Sequence, residues 1–190
     1  MAATHVGLLR GINLAGKNRV AMADLRALVT ELGHADVSTY IQSGNVLFTA
    51  SPGTGTDTLA QAMSAAIAAK LGVMSPVVVV SRAELAQIVA DNPFPDEQDP
   101  RRVHAVLLSQ PPWPELLARL DTAVAASAAK GLRDSVRSIG RTLYLHTPDG
   151  YGNSDLAVVL MRIVSAPKAG LTGTARNWAT TTRLLELGDG

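Results

Sequence analysis

The sequence predicts an α+β fold: two α/β-plait subdomains of the ferredoxin-like, split βαβ kind, each with an antiparallel sheet. Three observations lead there. Short apolar runs of strand type alternate with segments of helical period in the order βαββαβ over residues 1–80. A related order, βαββα with extra helices, occupies residues 81–190. The 190 residues are 47% hydrophobic and 17% charged, enough for a packed core, and with only 4% aromatic that core must be aliphatic. The expected division is an N-terminal βαββαβ plait, 1–80, and a C-terminal plait-like subdomain, 81–190.

Each element has its own signal. His5 to Arg10 is a strand of small apolar residues. Met22, Leu25, Leu28, Val29 and Leu32 repeat at helical spacing, and Gly33 supplies a C-terminal stop. Val37 to Gln42 and Val46 to Thr49 are strands around the turn Ser43-Gly44-Asn45. SPGTGT is a connection. Leu59, Met63, Ile67 and Leu71 mark a second helix, closed by Gly72, and Val77 to Val80 form a fourth strand. Ser81 and Glu84 have capping-box spacing for a third helix holding Leu85, Ile88 and Val89. NPFPDEQDPRR is a loop or linker, rich in proline and charge.

In the second half, Val103 to Leu108 is a strand, and Leu116, Leu117, Leu120 and Val124 share a helix face entered through PPWPE. Asp134 to Ile139 and Thr142 to His146 are strands turning at Gly140-Arg141. Ser154 caps a helix bearing Leu156, Val159, Leu160 and Ile163. Thr174 is expected to cap the last helix, which places Arg176 and Asn177 in its first turn beside Trp178. The pattern resembles an incomplete second copy of the first, with no sequence repeat to establish duplication.

Composition excludes several classes. There is no cysteine, so no disulfide, thiolate metal site or cysteine nucleophile, in keeping with a reducing cytosol. Purely aliphatic runs such as Val77 to Val80 are far too short to span a bilayer, and the start of the chain lacks a signal-peptide pattern. A cytoplasmic protein without membrane attachment is expected. A net charge of +1 argues against a protein that coats nucleic acid, and aromatic RNA-recognition motifs are missing from the strands. His5, His34, His104 and His146 have no metal-ligand spacing, so neither metal nor cofactor is expected. No GxSxG or Ser-His-Asp set is legible.

Charge distribution is more informative than its sum. No Asp or Glu precedes Asp24, whereas Arg10, Lys17 and Arg19 do; none lies between Asp155 and Glu186, where Arg162, Lys168, Arg176 and Arg183 fall. The loop RGINLAGKNR is neither a P-loop nor a Rossmann fingerprint. Its chemistry nevertheless suits an anion. Gly11 and Gly16 let backbone amides approach a ligand, Arg10 and Lys17 add charge, and a helix N-terminus follows. Asparagines bonding their own backbone in an ordinary loop would account for the same residues. Gln42, Ser43 and Asn45 form a polar turn that ordinary turn chemistry also explains. Strand order alone places this turn at the sheet end opposite the exit of the first strand. Arg176 in a first helical turn would oppose the helix dipole, so it calls for an anionic partner: Asp155, Glu186 or a ligand.

The motifs LLRGINLAGKN, TYIQSGNVLF, DNPF, LYLHTPDGYGNSDL and TARNWATTTRLLEL, in this order, resemble the bacterial family named domain of unknown function 1697. The resemblance runs from about Leu8 to Leu187. It implies two plait subdomains and brings no function, because none is recorded for the family. It singles out Arg10, Gly11, Asn13, Gly16, Lys17, Asn18, Gln42, Ser43, Gly44, Asn45, Arg176, Asn177 and Trp178. Where the family pattern reads GIGRSKL this chain has GYGNSDL, so Asn153 and Asp155 replace two bases. Ala179 stands for a common Asn, and Ala21 for a common Pro.

The functional expectation is binding of a small anionic or nucleotide-like ligand. Arg10, Lys17 and the amides of Gly11 and Gly16 hold the anion, Arg176 clamps it, and Asn13, Asn18 and Asn177 orient it. Two alternatives stand beside this: a metal-independent enzyme acting on such a ligand through the same groove, and a protein-interaction or self-association module. Catalytic residues, ligand identity and oligomeric state are not legible.

Overall fold

The computed structural model of the protein describes residues 3–14, 16–165 and 170–188. Lys168, part of the second basic segment, lies outside them. The chain divides into two compact units: Met1–Gln87 with Arg183–Gly190, and Ile88–Thr182.

The first unit contains β1 (His5–Leu9), α1 (Met22–Glu31), β2 (Ala35–Tyr40), β3 (Asn45–Thr49), α2 (Thr56–Leu71) and β4 (Val77–Ser81). Its four strands form one antiparallel sheet in the order β2-β3-β1-β4. Register is set by apolar pairs such as Val6↔Leu47 and Leu8↔Val78. One sheet face meets both helices: Leu9, Val46, Phe48 and Val79 pack with Leu25 and Val29 of α1 and with Leu59, Met63 and Ile67 of α2. Helical spacing puts these side chains on one stripe, and burying that stripe is what holds each helix to the sheet. Gly72 ends α2 in the left-handed conformation. The capping box of α3 (Arg82–Ala90) is present: Ser81 N donates to Glu84 Oε2 at 2.8 Å, and Glu84 N to Ser81 Oγ at 3.1 Å.

The second unit is a complete plait rather than an incomplete one. It runs β5 (Val103–Leu108), α4 (Pro114–Ala129), β6 (Ser135–Ile139), β7 (Thr142–His146), α5 (Asp155–Val164) and β8 (Gly173–Asn177), followed by α6 (Trp178–Leu187). The sheet order β6-β7-β5-β8 repeats that of the first unit element for element. Residues 173–177 are therefore a strand, not the start of the last helix. They pair with β5, Arg176 lying opposite Ala105, because the plait needs a fourth strand along the open edge of β5. The cap of α6 is Asn177, whose Oδ1 accepts from Thr180 N at 2.8 Å, in place of Thr174. With Arg176 on a strand, the helix-dipole argument for an anionic partner falls. The two acids named as its partners are bonded elsewhere, Asp155 to Lys130 and Glu186 to Arg183.

Ser154 caps α5 as its position predicts, accepting from Ala157 N at 2.9 Å and donating to the buried Asp134 at 2.7 Å. The core of this unit joins Val106, Leu143 and Leu145 of the sheet to Leu116 and Leu120 of α4 and to Leu156 and Leu160 of α5. Tyr144, 1% exposed, donates its hydroxyl to Ile88 O at 3.0 Å, and burial pushes its pKa up to about 12. Among the described residues no helix is long and apolar enough to cross a membrane.

Candidate functional site

The exit of β1 is where the sequence-singled residues gather. β3 runs antiparallel to both β1 and β2, so the turn joining β2 to β3 lies beside the end of β1. This corrects the expectation that turn and loop occupy opposite sheet ends. The helix α1 carries the chain back across the sheet, β2 runs parallel to β1, and both strands finish on the same side. The entrance of β4 falls there as well, since Leu9 pairs with Val77.

Three segments thus meet at one sheet end: 10–21, 41–44 and 72–76. Specific bonds tie them. Leu9 N donates to Gly44 O at 2.8 Å, and Arg10 N to Pro76 O at 3.1 Å. Ser75 Oγ donates to Arg10 O at 2.8 Å, and Asn13 Nδ2 to Gln42 O at 2.9 Å.

Within the first segment the chain doubles back, with Asn13 N donating to Asn18 O at 3.1 Å and Lys17 N to Leu14 O at 2.9 Å. Among its described residues four hold positive φ: Gly11 at 71°, Asn13 at 54°, Gly16 at 79° and Asn18 at 50°. Glycine and asparagine are the residues that accept this conformation at least cost. Both asparagine side chains serve the loop itself. Asn13 Nδ2 also donates to Val20 O at 3.0 Å while its Oδ1 accepts from Val20 N at 2.9 Å, and Asn18 Nδ2 donates to Gly11 O at 2.9 Å. Replacing Asn13 with alanine removes these bonds at a half-buried site and will cost about 2 kcal/mol, read by chemical denaturation.

The polar turn is likewise internally bonded. Asn45 is fully buried and donates Nδ2 to Tyr40 O at 3.1 Å and to Ser43 Oγ at 2.9 Å. Gln42 and Ser43 remain exposed.

The charges are arranged differently. Arg10 is half-buried, and desolvation lowers its guanidinium pKa, whereas Lys17 and Arg19 stand in solvent. None of the three segments contains Asp, Glu or His. Three large apolar side chains are also exposed here, and their exposure was not legible beforehand: Leu14 (64%), Ile41 (50%) and Met74 (83%). Ile41 has φ 48°, a conformation that strains a β-branched residue.

Arg176 and Asn177 belong to the second unit. Arg176 is 9% exposed, and its Nη1 donates to Thr174 Oγ1 and Ala175 O, both at 2.8 Å. Burial pulls its pKa down to about 10. Asn177 is engaged as the cap of α6.

The four histidines all have local packing roles. His5 and His34 lie against Phe48, His104 against Tyr151, and His146 against Phe94 with its Nε2 2.8 Å from Glu97 Oε2. Among the described residues no three His, Cys, Asp or Glu side chains gather as a metal ion would require.

No curated protein matches the chain. Among solved structures it is similar to the conserved bacterial protein SP0830 from Streptococcus pneumoniae, at 21% identity and a TM-score of 0.65 over 99% of each chain. That likeness shows the fold of two plaits. A family model spans residues 2–144 and ends within β7, so the TARNW motif lies beyond it. With that span matched, the chain belongs to the family described as protein of unknown function, DUF1697.

Proposed function

We propose that the protein binds a small anionic, nucleotide-like ligand at the loop end of its first sheet. One observation supports this reading: Arg10, Lys17 and Arg19 belong to a loop bonded to two other segments, and none of the three segments contains a carboxylate. These segments offer an anion positive charge and bring no like charge of their own. A Cβ added at Gly11 or Gly16 would touch nothing within 4 Å, so the backbone at both is open to close approach. The exposed Leu14, Ile41 and Met74 offer an apolar surface beside the cations, which suits a ligand with a ring next to its charge. Asn13 and Asn18 contribute by holding the loop rather than by touching the ligand.

Binding is favoured over catalysis at this site. The three segments hold no group that titrates near neutral pH, so no general acid or base is at hand. A cytoplasmic location fits the cysteine-free sequence.

Thermal shift and isothermal titration of the whole chain against a panel of nucleotides and phosphate esters test this reading. A bound ligand raises the melting temperature, and Lys17→Ala weakens binding by about tenfold, as for loss of one charged hydrogen bond. A panel in which nothing binds, or binding unchanged in Arg10→Ala and Lys17→Ala, overturns it.

A further inference from the structure

A second site lies wholly within the second unit and involves none of the residues discussed above as ligands. β7 runs antiparallel to β5, with Val103 opposite His146, so the loop entering β5 and the turn leaving β7 share one sheet end. Arg133, between α4 and β6, reaches the same place: its backbone N donates to Asp149 Oδ2 at 3.0 Å. These three pieces of chain enclose an open cavity of about 560 Å³, a volume within the range of small-molecule sites.

The cavity wall carries three guanidinium groups, Arg101, Arg102 and Arg133, against two carboxylates, Asp99 and Asp149. The carboxylates fix two of the cations in place. Arg101 donates Nε and Nη2 to Asp99 at 2.9 and 2.8 Å, and Arg133 donates Nη2 to Asp149 Oδ1 at 2.6 Å. Those bonds hold the forks in one orientation, so less side-chain entropy is lost when a ligand arrives.

Arg102 differs from its neighbours. Its Nε stands 3.7 Å from Asp99 Oδ2 and its Nη1 3.9 Å from Glu97 Oε1, within electrostatic reach but beyond hydrogen-bonding distance. Its donors are thus uncommitted to either carboxylate, although Glu97 and Asp99 balance its charge. Tyr151 completes the wall. Its ring is half-buried and backed by His104, with centroids 4.3 Å apart, which makes it a supported aromatic face at the edge of the charge cluster.

We propose that this cavity binds a phosphomonoester, with its phosphate on Arg102 and on the donors that Arg101 and Arg133 leave open, and its ring-bearing end against Tyr151. A doubly charged phosphate has the oxygens to take several forked donors at once. Asp99, Asp149 and Glu97 offset the cations, so the phosphate is held by forked hydrogen bonds rather than by net charge. The aromatic face selects an ester with a flat or cyclic group over inorganic phosphate.

The test is isothermal titration of the whole chain at low salt with a nucleoside 5′-monophosphate and, separately, with inorganic phosphate. The monophosphate should bind saturably and more tightly than phosphate. Arg102→Ala should weaken it at least about tenfold, and Tyr151→Ala should bring it to the level of phosphate. Should Arg102→Ala fold poorly by circular dichroism, Arg102→Gln keeps most of the side chain and should weaken binding equally. The proposal is overturned by no saturable binding at millimolar monophosphate, by wild-type affinity in the Arg102 variants, or by loss in Lys17→Ala alone. The last of these assigns the ligand to the first unit. Equal affinity for phosphate and monophosphate also overturns it, since Tyr151 then selects nothing.

Discussion

Gly44→Ala is expected to destabilise the first unit by about 3 kcal/mol, although it adds a single methyl group. Gly44 sits at φ 77°, where an L-residue is strained by roughly 1–2 kcal/mol. The new Cβ would also lie 2.6 Å from Leu9 Cβ and 2.9 Å from Ile12 Cδ1. The Ile12 methyl can turn aside. Leu9 Cβ is fixed by the central strand, and the two chains are already joined there by the bond from Leu9 N to Gly44 O. The turn must therefore move, and with it Gln42, the anchor of Asn13. Gly16→Ala is the control. Its φ of 79° imposes the same conformational strain, but nothing lies within 4 Å of the added Cβ, so a cost of about 1 kcal/mol is expected. Urea denaturation followed by signals of the first unit separates the two. Equal costs would show that backbone conformation alone, and not the close approach of turn and strand, constrains this end of the sheet.

The first plait was readable because its elements obey local rules. Leu25, Leu28 and Val29 recur at helical spacing and are buried as that spacing implies, and Ser81 with Glu84 forms the box that its spacing announces. β8 was not readable. Gly-Thr-Ala-Arg-Asn carries one β-branched residue and a glycine, and it becomes a strand because β5 offers an unpaired edge. The polar turn was identified as a turn but assigned to the wrong sheet end, because its position depends on the crossover through α1 and not on its own residues. At the site, Arg10 and Lys17 are visible as a basic stretch without acids in its sequence, whereas the internal bonding of Asn13 and Asn18 depends on Val20, Gln42 and Gly11, which only the folded loop brings into reach. Arg101 and Arg102 of the second cavity fall in the stretch read as a charged loop or linker, and Arg133 lies outside it. Their signal was available: DPRR directly precedes one central strand, PDGY closely follows its antiparallel neighbour, and a plait puts those positions together.

Acid will weaken the second unit before any of its perturbed carboxylates is protonated, and His104 will be the cause. Its Nδ1 is buried with no hydrogen-bond partner among the described residues, its ring packs tilted against Tyr151, and burial lowers its pKa to about 4. In the unfolded chain the same imidazole titrates near its ordinary value of 6.5. Between those values the unfolded state binds a proton that the folded state refuses. Stability is therefore complete above pH 6.5 and falls as pH drops toward 4, by about 3 kcal/mol across the window. Glu97, held down by its bond to His146, and Asp99, held down to about 2 by Arg101, act at lower pH, because a depressed carboxylate pKa withdraws its stabilisation only as pH falls below the ordinary carboxylate range. His5 and His34, both lowered by burial, act in the same sense on the first unit, so the measurement must report on the second. His104→Phe retains an aromatic ring against Tyr151 and removes the proton site, and its stability should stay nearly level from pH 6.5 to 5 while the wild type declines. In the native protein the His104 imidazole proton signal should not titrate above pH 5. An inflection near pH 6.5, with parallel pH profiles for variant and wild type, would mean that water reaches Nδ1 and that the desolvation argument fails for this ring.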